Sequence, residues 1–501
     1  MLFRSCEKTP ARLSLDMKIL SKNGNELTLI AMKNEVVHKG DYLIVDDRKF
    51  SRKMIVQIYD EDYLSSQNLL EDIVKDEVIL ACSEENLHDP LNISSLSKLI
   101  RDARLIRTKI RSTMDINGRI TSDISWIPSR VFSSVKKLSI PELSDLLNRV
   151  GVLSINIGQT GKKGENFKIY AEDLDGKLNI ITGKKESGKS HLSKLLIKSL
   201  VEHGAYVIVF DLNNEYGGLG CTCSGKPSSI NDRTLILEPG GLLKFRLDYC
   251  GKFTISNILK NSLDMPSASL REFGRIWDKL QGTGKLDVES LGEMINRVNM
   301  NELVRDALVS RHHLLYNSGL FSLEIGNSGL EFEKITEAKP NGAALIISLH
   351  KVSAVIRKMI VELVLSKLIE LLDKQLIPPI FLFAEEAHLY VKETYWDDII
   401  TRMRHFGIFT TFITNQPDAL GDSIYRQVDN IFLFNFVNES DLEKISRVSL
   451  IDNDTIKSVV RTLPQRHCLV VGKVVRDLPI VAIIPPIDIV TLGATKKFFK
   501  P

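Results

Sequence analysis

The alternation of apolar and polar positions divides the 501-residue chain into two regions. Between about residues 15 and 85, short apolar runs are separated by charged or Asn- and Gly-containing turns, a pattern typical of strands. The predicted strands are ELTLIAM, DYLIVDD, MIVQIYD and DEVILACS, and the segment from Ala103 to Ile116 resembles another. A small β-barrel is the simplest closure, because a closed sheet leaves no unpaired edge. Residues 135–150 have the pattern of a linker helix that begins near Ser139 or Pro141.

From Leu153 onward, predicted strands alternate with predicted helices, which favours a mostly parallel sheet. The strands are predicted at LSINIG, FKIYAED, LNIIT, AYVIVFD, ALIISL, IFLFAE, IFTTFIT and NIFLFNF. Helical periodicity between Asp248 and Gly342 indicates an inserted helical subdomain, and RHCLVVGKVVRDLPIVAII predicts two final strands. The expected fold class is α/β, with an N-terminal β-barrel at 1–134, a linker at 135–150 and a sheet domain at 151–495 that carries the helical subdomain at about 248–342.

Composition limits the classes of function without choosing among them. An apolar fraction of 43% and a charged fraction of 26% are ordinary for a soluble globular protein. The net charge of +3 gives no global basic field, so a polyanionic partner must be bound by local patches. No apolar run reaches the roughly 18–20 residues of a membrane helix, and the N-terminus has no signal-type apolar core, so we expect no membrane association and a cytoplasmic location. Six irregularly spaced cysteines indicate free thiols, which for Cys221 and Cys223 are favoured over half of a metal site.

A loop between a predicted strand and a predicted helix has the pattern of a phosphate-binding loop. GKKESGKS fits G-x-x-x-x-G-K-[ST] at every required position, after the strand KLNIIT and before leucines at helical spacing. Backbone N–H groups of such a loop turn toward phosphate oxygens, and the helix N-terminus adds partial positive charge. Lys189 would reach the β- and γ-phosphates, and Ser190 would hold Mg²⁺. The residues expected to bind a nucleoside triphosphate here are Gly183, Lys184, Lys185, Glu186, Ser187, Gly188, Lys189, Ser190 and His191.

An acid pair ends the predicted strand IFLFAE. Glu385 lies where an acid would hold Mg²⁺ directly or through water, and Glu386 where an acid would orient and deprotonate the attacking water. Two adjacent acids at the end of a buried strand need a replacement for lost solvation, which favours a functional role. The alternative is an exposed acid pair at a strand end.

Other polar residues also follow predicted buried strands, where ligands bind in open α/β sheets. Asp211 ends VIVFD, four residues before Glu215. It can contact Mg²⁺-bound water or a neighbouring subunit, and the alternative is a helix or turn cap. Asn415-Gln416 can sense the γ-phosphate or form a turn with Pro417. Arg404, near a helix C-terminus with Arg402, can stabilise phosphate charge in cis or trans or complement the helix dipole.

The segment from Ala103 to Ile116 has a basic face. Its cations are Arg104, Arg107, Lys109 and Arg111. This face can contact nucleic acid, and it can equally be a solvated strand face with no binding role.

The ordered motifs GKKESGKS, FDLNNEY, FLFAEEAH, MRHFG, TNQP and LPQRHCLVVG are similar to those of the HerA branch of the HerA/FtsK superfamily of P-loop ATPases. The resemblance covers roughly residues 150–490. Glu-Glu-Ala-His after a P-loop is its most specific mark, and Tyr395-Trp396 before Arg404 agrees with it. The N-terminal strands, with VVHKGDYLIV, also look like the family's small β-barrel.

The resemblance implies a RecA-like sheet, a homo-hexameric ring with ATP and Mg²⁺ between subunits, and translocation on double-stranded DNA. Archaeal members act with a NurA-type nuclease at DNA ends, and some bacterial relatives assemble with defence effectors. Carried over by motif, Lys189 and Ser190 would bind the phosphates and Mg²⁺, and Glu385 and Glu386 would be the Walker B acids. Gln416 would be the polar sensor, and Arg404 would be the arginine that contacts the nucleotide.

The sequence departs from the family pattern in three places. Lys185, Glu186 and Ser187 stand where relatives often have Thr-Gly-Ser. Relatives commonly have Arg-His before the P-loop strand, with the arginine acting in trans, and Lys177-Leu178 occupy that place here. Lysine is a point charge and lacks the planar fork of arginine. Asn213-Asn214 replace the usual His-Gly, so the chain resembles a divergent member.

Three functions are compatible with these residues. The first is an ATP-driven ring motor that translocates on or unwinds double-stranded DNA in end processing with a nuclease partner. The second is an ATPase ring that acts as scaffold or regulator of an effector protein. The third is a conjugation or packaging motor.

Overall fold

The computed structural model describes residues 17–31, 36–63, 103–116, 120–121, 123–146, 151–161, 164–322, 329–390, 402–436, 438–448 and 453–493. The predicted strand DEVILACS and Tyr395-Trp396 lie outside these residues. Within the described residues, no helix combines the length and apolar character that crossing a membrane requires.

The described residues of the N-terminal region form a seven-stranded sheet. Its strands are β1 Lys18–Asn23, β2 Glu26–Ala31, β3 Tyr42–Asp47, β4 Arg52–Tyr63, β5 Arg104–Met114, β6 Ile120–Thr121 and β7 Ser133–Leu138. They are ordered β1-β2-β5-β4-β3-β7, with β6 beside β5, and the neighbours are antiparallel. No ladder joins β1 to β7 among the described residues, so the expected barrel is present as a half-open one.

The segment predicted as a linker helix is divided between two elements. Its first residues belong to β7, and helix α1 Ile140–Leu146 follows directly. Ser139 and Glu142 form a capping box, in which the Ser139 N–H donates to the Glu142 carboxylate at 3.0 Å and the Glu142 N–H donates to the Ser139 Oγ at 3.4 Å. The prediction of a helix start near Ser139 is confirmed, while the strand before it was missed because β7 is specified by pairing with distant β3.

After residue 150, the part of the chain that the structure describes contains an eleven-stranded sheet. Its strands are β8 Ser154–Thr160, β9 Glu165–Tyr170, β10 Asn179–Thr182, β11 Tyr206–Asp211, β12 Thr234–Leu237, β13 Ala343–Ser348, β14 Ile380–Glu385, β15 Ile408–Thr414, β16 Asn430–Leu433, β17 His467–Gly472 and β18 Ile480–Ile483. The order is β12-β13-β11-β14-β15-β10-β16-β17-β18-β8-β9, parallel from β12 to β16 and antiparallel beyond. Each strand predicted after Leu153 is confirmed, and the short, partly exposed β12 was not predicted.

Helices cover both faces of this sheet. They are α2 Lys189–Glu202, α3 Leu247–Asn257, α4 Ser267–Thr283, α5 Val288–Arg297, α6 Glu302–Asn317, α7 Phe332–Ala338, α8 Ala354–Asp373, α9 Asp422–Tyr425, α10 Glu439–Val448 and α11 Asn453–Val460. In β11, Val207 and Val209 pack into the cluster that contains α2, whereas Ile208 and Phe210 pack into the cluster of α3 to α8. Both faces of β11 are therefore buried, as expected for a central parallel strand. The helices predicted between Asp248 and Gly342 are present as α3 to α7.

The strand order brings three loops to one edge of the sheet. Strand β10 lies between β15 and β16, and β14 lies on the other side of β15. In this register Thr182 is opposite Thr414, and Glu385 is opposite Ile413. Because the strands are parallel, the segments that follow β10, β15 and β14 leave the sheet side by side.

The half-open barrel is attached to the larger sheet by polar contacts. The Tyr42 hydroxyl and the Gln57 amide both donate to the carbonyl of Pro479, at 2.9 Å and 2.7 Å. The Arg111 guanidinium donates to the Thr455 hydroxyl of α11 at 2.8 Å. Lys109 lies 3.5 Å from the Asp454 carboxylate of the same helix.

The cations of β5 do not form a free basic face, which corrects that part of the nucleic-acid hypothesis. Arg104 pairs with Glu61 at 3.0 Å and Arg107 with Asp60 at 3.3 Å. Lys109 is 5% exposed and also pairs with Glu26. The cations balance neighbouring acids or attach the barrel to α11.

Candidate functional site

A cavity of 850 Å³ lies at the edge of the sheet where the parallel strands end. Its walls come from the loop between β10 and α2, from the residues after β11, β14 and β15, and from two segments near the C-terminus. The lining residues are Lys185, Glu186, Gly188, Lys189, Ser190, His191, Lys194, Leu212, Asn213, Glu215, Glu385, Glu386, His388, Leu389, Ile413, Asn415, Gln416, Gln465, Arg466, Thr491 and Gly493.

The loop from Gly183 to Gly188 is packed tightly against the chain after β16. A Cβ on Gly183 would lie 2.5 Å from the Cβ of Phe434, so this position admits no side chain without a shift. Gly188, at φ 120°, adopts a backbone conformation that glycine allows and L-residues rarely reach. The Lys184 N–H donates to the Asn435 carbonyl at 3.0 Å. The loop is thus held by backbone contacts and leaves its concave side to the cavity.

The ammonium of Lys189 lies within the loop. It donates to the carbonyl oxygens of Gly183 and Lys184 at 2.7 Å and 3.0 Å. Burial lowers the pKa of Lys189, and the carboxylate of Glu386 opposes this effect. The residue therefore sits between its own loop and the strand-end acids, where a phosphate would meet both the ammonium and the loop N–H groups.

Glu385 is buried beneath the cavity and is 3% exposed. One of its oxygens accepts hydrogen bonds from the Leu212 and Asn213 N–H groups at 2.8 Å and 3.0 Å, and the other accepts from the Asn213 amide at 3.2 Å. Burial, with the nearby carboxylates of Glu215 and Asp211, raises the pKa of Glu385 well above its usual range. Burial and the like charges thus oppose the ionised form of Glu385, whereas the hydrogen bonds from Asn213 favour it.

Glu386 has an unusual backbone and an unsatisfied side chain. Its φ of 46° places it in the left-handed region, which is strained for a residue with a side chain. Its Oε2 atom is buried without a hydrogen-bond partner among the described residues, although the His388 Nδ1 atom lies 3.4 Å away. His388 Nδ1 is also 3.0 Å from the Thr414 hydroxyl. The strained backbone holds the Glu386 carboxylate in the cavity with unused acceptor capacity.

Asp211 does not line the cavity. Its carboxylate caps the next turn, accepting from the Glu215 and Tyr216 N–H groups at 2.9 Å and 3.0 Å. The turn it caps places Glu215 in the cavity wall, where Glu215 Oε2 is buried without a partner among the described residues. Of the two acids, Glu215 thus faces the cavity, and Asp211 positions it.

The amide pair after β15 faces the cavity beside the phosphate loop. Both Asn415 and Gln416 line it, and the Gln416 N–H donates to the Thr414 hydroxyl at 3.0 Å. Asn415 Oδ1 is buried without a partner in the described part of the chain. Because β15 lies between β10 and β14, these amides stand between the phosphate loop and the acids.

Two cations in the wall were not predicted. Lys194 is 1% exposed and donates to the Thr491 hydroxyl at 2.6 Å. Its position one turn after Ser190 on α2 was the available signal in the sequence. Arg466 precedes β17 and is more than 270 residues from the phosphate loop. It belongs to the motif LPQRHCLVVG, which was the available signal, but the motif gave Arg466 no role in the site.

Arg404 and Lys177 lie together at the opposite edge of the sheet. Both precede their strands, β15 and β10, and both line a small pocket away from the cavity. The Arg404 Nη1 atom is 3.7 Å from Asp429 Oδ2, which also accepts from the Leu178 N–H at 3.1 Å. The four residues of β10 separate the edges by about 13 Å. Neither cation reaches the cavity of its own chain.

The predicted site residues thus fall into three groups. Lys185, Glu186, Gly188, Lys189, Ser190, His191, Glu385, Glu386 and Gln416 line one cavity. Gly183, Lys184, Ser187 and Asp211 shape its wall without being part of the lining, and Arg404 and Lys177 lie elsewhere.

The residues around Ser190 and Glu385 fit a Mg²⁺ ion that is bound together with phosphates. Among the described residues, no group of three or more His, Cys, Asp or Glu side chains is arranged to hold a metal ion by itself. Cys221 and Cys223 are therefore not part of such a group. Mg²⁺ bound to nucleotide phosphates needs one or two protein ligands and keeps several waters. Ser190 lines the cavity, and the unpartnered oxygens of Glu215 and Glu386 offer acceptors for such waters.

The raised pKa of Glu385 predicts that Glu385→Gln stabilises the protein without nucleotide and Mg²⁺, in a pH-dependent way. Below about pH 4, glutamate is neutral in the folded and unfolded states and the substitution gains little. As the pH rises, the unfolded state ionises and the folded state resists ionisation, so wild-type stability falls relative to the variant. Thermal melts from pH 4 to pH 8 should therefore diverge, with the variant melting higher.

The exposed residue Glu302 offers a matched control, since Glu302→Gln should show no gain that grows with pH. A Glu385→Gln variant that melts lower than wild type by the same margin at every pH would contradict the predicted electrostatic strain.

Sequence relatives point to one family. A family model described as "Helicase HerA, central domain" matches residues 156–369. The DNA double-strand break repair helicase HerA of Sulfolobus acidocaldarius is 22% identical over 422 residues, covering 78% of this chain and 81% of the relative. The corresponding helicase of Saccharolobus solfataricus is 20% identical over 417 residues, covering 77% and 79%.

Solved structures show the likeness of fold. VirB4 of Thermoanaerobacter pseudethanolicus aligns with a TM-score of 0.51 at 14% identity, over 66% of this chain and 96% of VirB4. The plasmid coupling protein TrwB in complex with ADP and Mg²⁺ aligns with a TM-score of 0.50 at 14% identity, over 71% of this chain and 94% of TrwB. Together with the family match and the geometry of the phosphate loop, these similarities lead to one conclusion. The chain is similar to the HerA helicases, its residues 156–369 match the model of the HerA central domain, and its core has the α/β fold of a RecA-like P-loop ATPase.

Proposed function

We propose that this chain is an ATP-hydrolysing ring motor that translocates on or unwinds double-stranded DNA, in DNA end processing with a nuclease partner of NurA type. The observation that carries the proposal is the meeting of a phosphate loop, strand-end acids and an amide pair around one cavity. The names of the two HerA helicases support DNA as the substrate. The domain division at 1–134, 135–150 and 151–495 belongs to the same proposal.

The phosphate loop binds the triphosphate of ATP. Its N–H groups and the N-terminus of α2 receive phosphate oxygens, and Lys189 shifts from its own loop carbonyls to the β- and γ-phosphates. Ser190 and Glu385 would hold Mg²⁺, Glu385 through water because its oxygens already accept three hydrogen bonds. When bound, the ion supplies positive charge to the phosphates and lowers the cost of ionising Glu385.

Glu386 positions the attacking water. Its unpartnered Oε2 can accept a hydrogen bond from water at the γ-phosphate. It can then take the proton as the water oxygen bonds to the γ-phosphorus and the bond from that phosphorus to the bridging oxygen breaks, which releases ADP. The His388 Nδ1 atom lies 3.4 Å from the same oxygen and 3.0 Å from the Thr414 hydroxyl, so His388 flanks this carboxylate. Gln416 lies between Glu386 and the phosphate loop, so its amide can hydrogen-bond the γ-phosphate and detect its loss.

The position of Arg404 and Lys177 supports a shared site. Arg404 is 47% exposed at the edge opposite the cavity, where its partner is Asp429. Head-to-tail packing of copies would bring this edge toward the cavity of the next copy and would close into a ring. The two cations then complete the nucleotide site in trans, with Arg404 supplying a planar guanidinium.

One observation favours the second function, an ATPase ring that holds or regulates an effector protein. The barrel cations that the sequence offered for DNA binding are engaged with acids and with α11. DNA contacts must then come from other surfaces or be replaced by a protein partner.

Two variants should separate binding from hydrolysis. Lys189→Ala should abolish ATP turnover by weakening phosphate binding. Glu386→Gln should keep ATP binding and slow hydrolysis by about two to four orders of magnitude, as expected for loss of a positioned acid–base group. Nucleotide titrations and single-turnover hydrolysis measure both effects. Normal affinity in Lys189→Ala, or normal turnover in Glu386→Gln while Glu385→Gln traps ATP, would show that the roles are assigned wrongly.

Duplex DNA should raise the rate of ATP turnover with little sequence preference, and the stimulation should fall steeply with salt. ATPase rates against DNA length at several salt concentrations, with a streptavidin-displacement assay, measure this. The slope of the logarithm of DNA affinity against the logarithm of salt concentration reports the number of phosphate contacts. Because Arg104 and Arg107 are paired with acids, their replacement by glutamine should leave this slope unchanged, whereas loss of one phosphate contact would reduce its magnitude by about one. Turnover indifferent to DNA, with no displacement at low salt, would reject the motor and favour the effector ring.

A shared site predicts complementation between two inactive variants. Arg404→Ala subunits keep an intact cavity with Lys189. Lys189→Ala subunits keep Arg404 and Lys177 at the opposite edge of the sheet. A mixed ring therefore contains interfaces with both good halves, and mixing should restore part of the ATP turnover. ATPase assays of the variants alone and mixed provide the measurement, and full activity of a strictly monomeric wild-type protein would rule out the shared site.

A further inference from the structure

Arg466 has a backbone conformation that its residue type disfavours. Its φ of 62° lies in the left-handed region, where glycine is favoured and a side chain adds strain. Both backbone groups are engaged there, since the Arg466 N–H donates to the Ser187 carbonyl at 2.8 Å and its carbonyl accepts from the Ile484 N–H at 2.8 Å. The neighbouring Gln465 amide donates to the Glu186 carbonyl at 2.9 Å. The surrounding structure therefore fixes Arg466 against the phosphate loop.

The side chain of Arg466 runs along the last glycine of that loop. A Cβ built on Gly188 would lie 3.1 Å from Arg466 Cα and 3.3 Å from Arg466 Cγ. Arg466 lines the cavity with Lys185, Lys189 and His191. No carboxylate of the described residues forms an ion pair with its guanidinium. An unpaired guanidinium beside other cations in one cavity is an arrangement that favours an anion.

The location of Arg466 within the cavity indicates which phosphates it meets. Loop N–H groups of a P-loop cradle the α- and β-phosphates, whereas the loop lysine reaches the β- and γ-phosphates. Arg466 lies on the side of Gly188 and His191, and the proximity of Lys194 and Arg466 lowers the pKa of His191 beyond the effect of burial. Glu385 and Glu386, by contrast, act on Lys189.

We propose that Arg466 binds the α- and β-phosphates of the nucleotide held by its own chain. This inference rests on the proposed nucleotide site and adds to it a cation that acts in cis, from the segment between α11 and β17. A contact to the α- and β-phosphates is made with ADP and with ATP alike. Arg466 therefore contributes to the affinity for both nucleotides and little to the rate of hydrolysis at saturating ATP.

The left-handed backbone makes Arg466→Gly an informative substitution. Glycine adopts this conformation without strain, so the variant should fold and melt at least as high as wild type without nucleotide. Arg476→Gly is the matched control, because Arg476 is an exposed arginine at φ 55° that does not line the cavity. Arg466→Lys keeps the charge but loses the planar fork.

Affinities for ADP and ATP should be measured on the full-length chain by titration with Mg²⁺ present, using Glu386→Gln as background so that ATP is not consumed. Arg466→Gly should weaken both nucleotides by about tenfold or more, as for loss of a charge-assisted hydrogen bond. The affinities of Arg466→Lys should fall between those of Arg466→Gly and those of the Glu386→Gln background. The affinities of Arg476→Gly should equal those of the background. In an otherwise wild-type chain, Arg466→Gly should raise the KM for ATP by about the factor by which it weakens binding, so that kcat/KM falls mainly through KM.

Each alternative result is decisive. Unchanged affinity of Arg466→Gly for both nucleotides would overturn the proposal. A weakened affinity for ATP with an unchanged affinity for ADP would also overturn the proposal, because the contact would then be to the γ-phosphate. Failure of the background protein itself to bind either nucleotide would instead reject the proposed function, and this inference with it.

Discussion

The parallel register of β11, β14, β15 and β10 is the constraint on which the site depends. These strands pair in the order given, so the loops that follow them leave the sheet at one edge. Successive side chains of a strand point to opposite faces, and a shift of one residue would turn Glu385 away from the N–H groups of Leu212 and Asn213. The apolar packing on both faces of the sheet fixes this register. The packing of the core therefore also fixes the relative positions of the site residues.

The cavity combines buried charge with incomplete pairing. Burial raises the pKa of Asp211 and of Glu385, and lowers the pKa of Lys189 and Lys194. Glu386 adds a strained backbone and a carboxylate oxygen without a partner among the described residues. Such groups are costly in an empty site, and they cluster where a ligand later supplies the missing interactions. The nucleotide and cation proposed for this site would offer both signs of charge to the acids and bases that face it.

A continuous set of contacts joins the half-open barrel to the phosphate loop. Lys109 and Arg111 of β5 contact the first residues of α11, and the segment after α11 contacts the loop through Gln465 and Arg466. The basic residues of β5 are used for this attachment and for balancing acids. A basic stripe in a sequence shows that cations are present, but their partners decide whether they are available to DNA.

The sequence by itself determined the parts whose signals are local. The phosphate loop needs its glycines, Lys189 and Ser190 in one short stretch, and the hydrophobic periods around it predict a strand and a helix. The strand-end acids and Gln416 were predictable for the same reason. Tertiary structure alone decided what depends on distant segments: Arg466 enters the wall through a backbone contact with Ser187, and Asp211 turns from the cavity to cap the turn that presents Glu215. Arg404 is a clear case, because its role depends on which edge of the sheet it occupies, and strand order is set by packing between residues far apart in the chain.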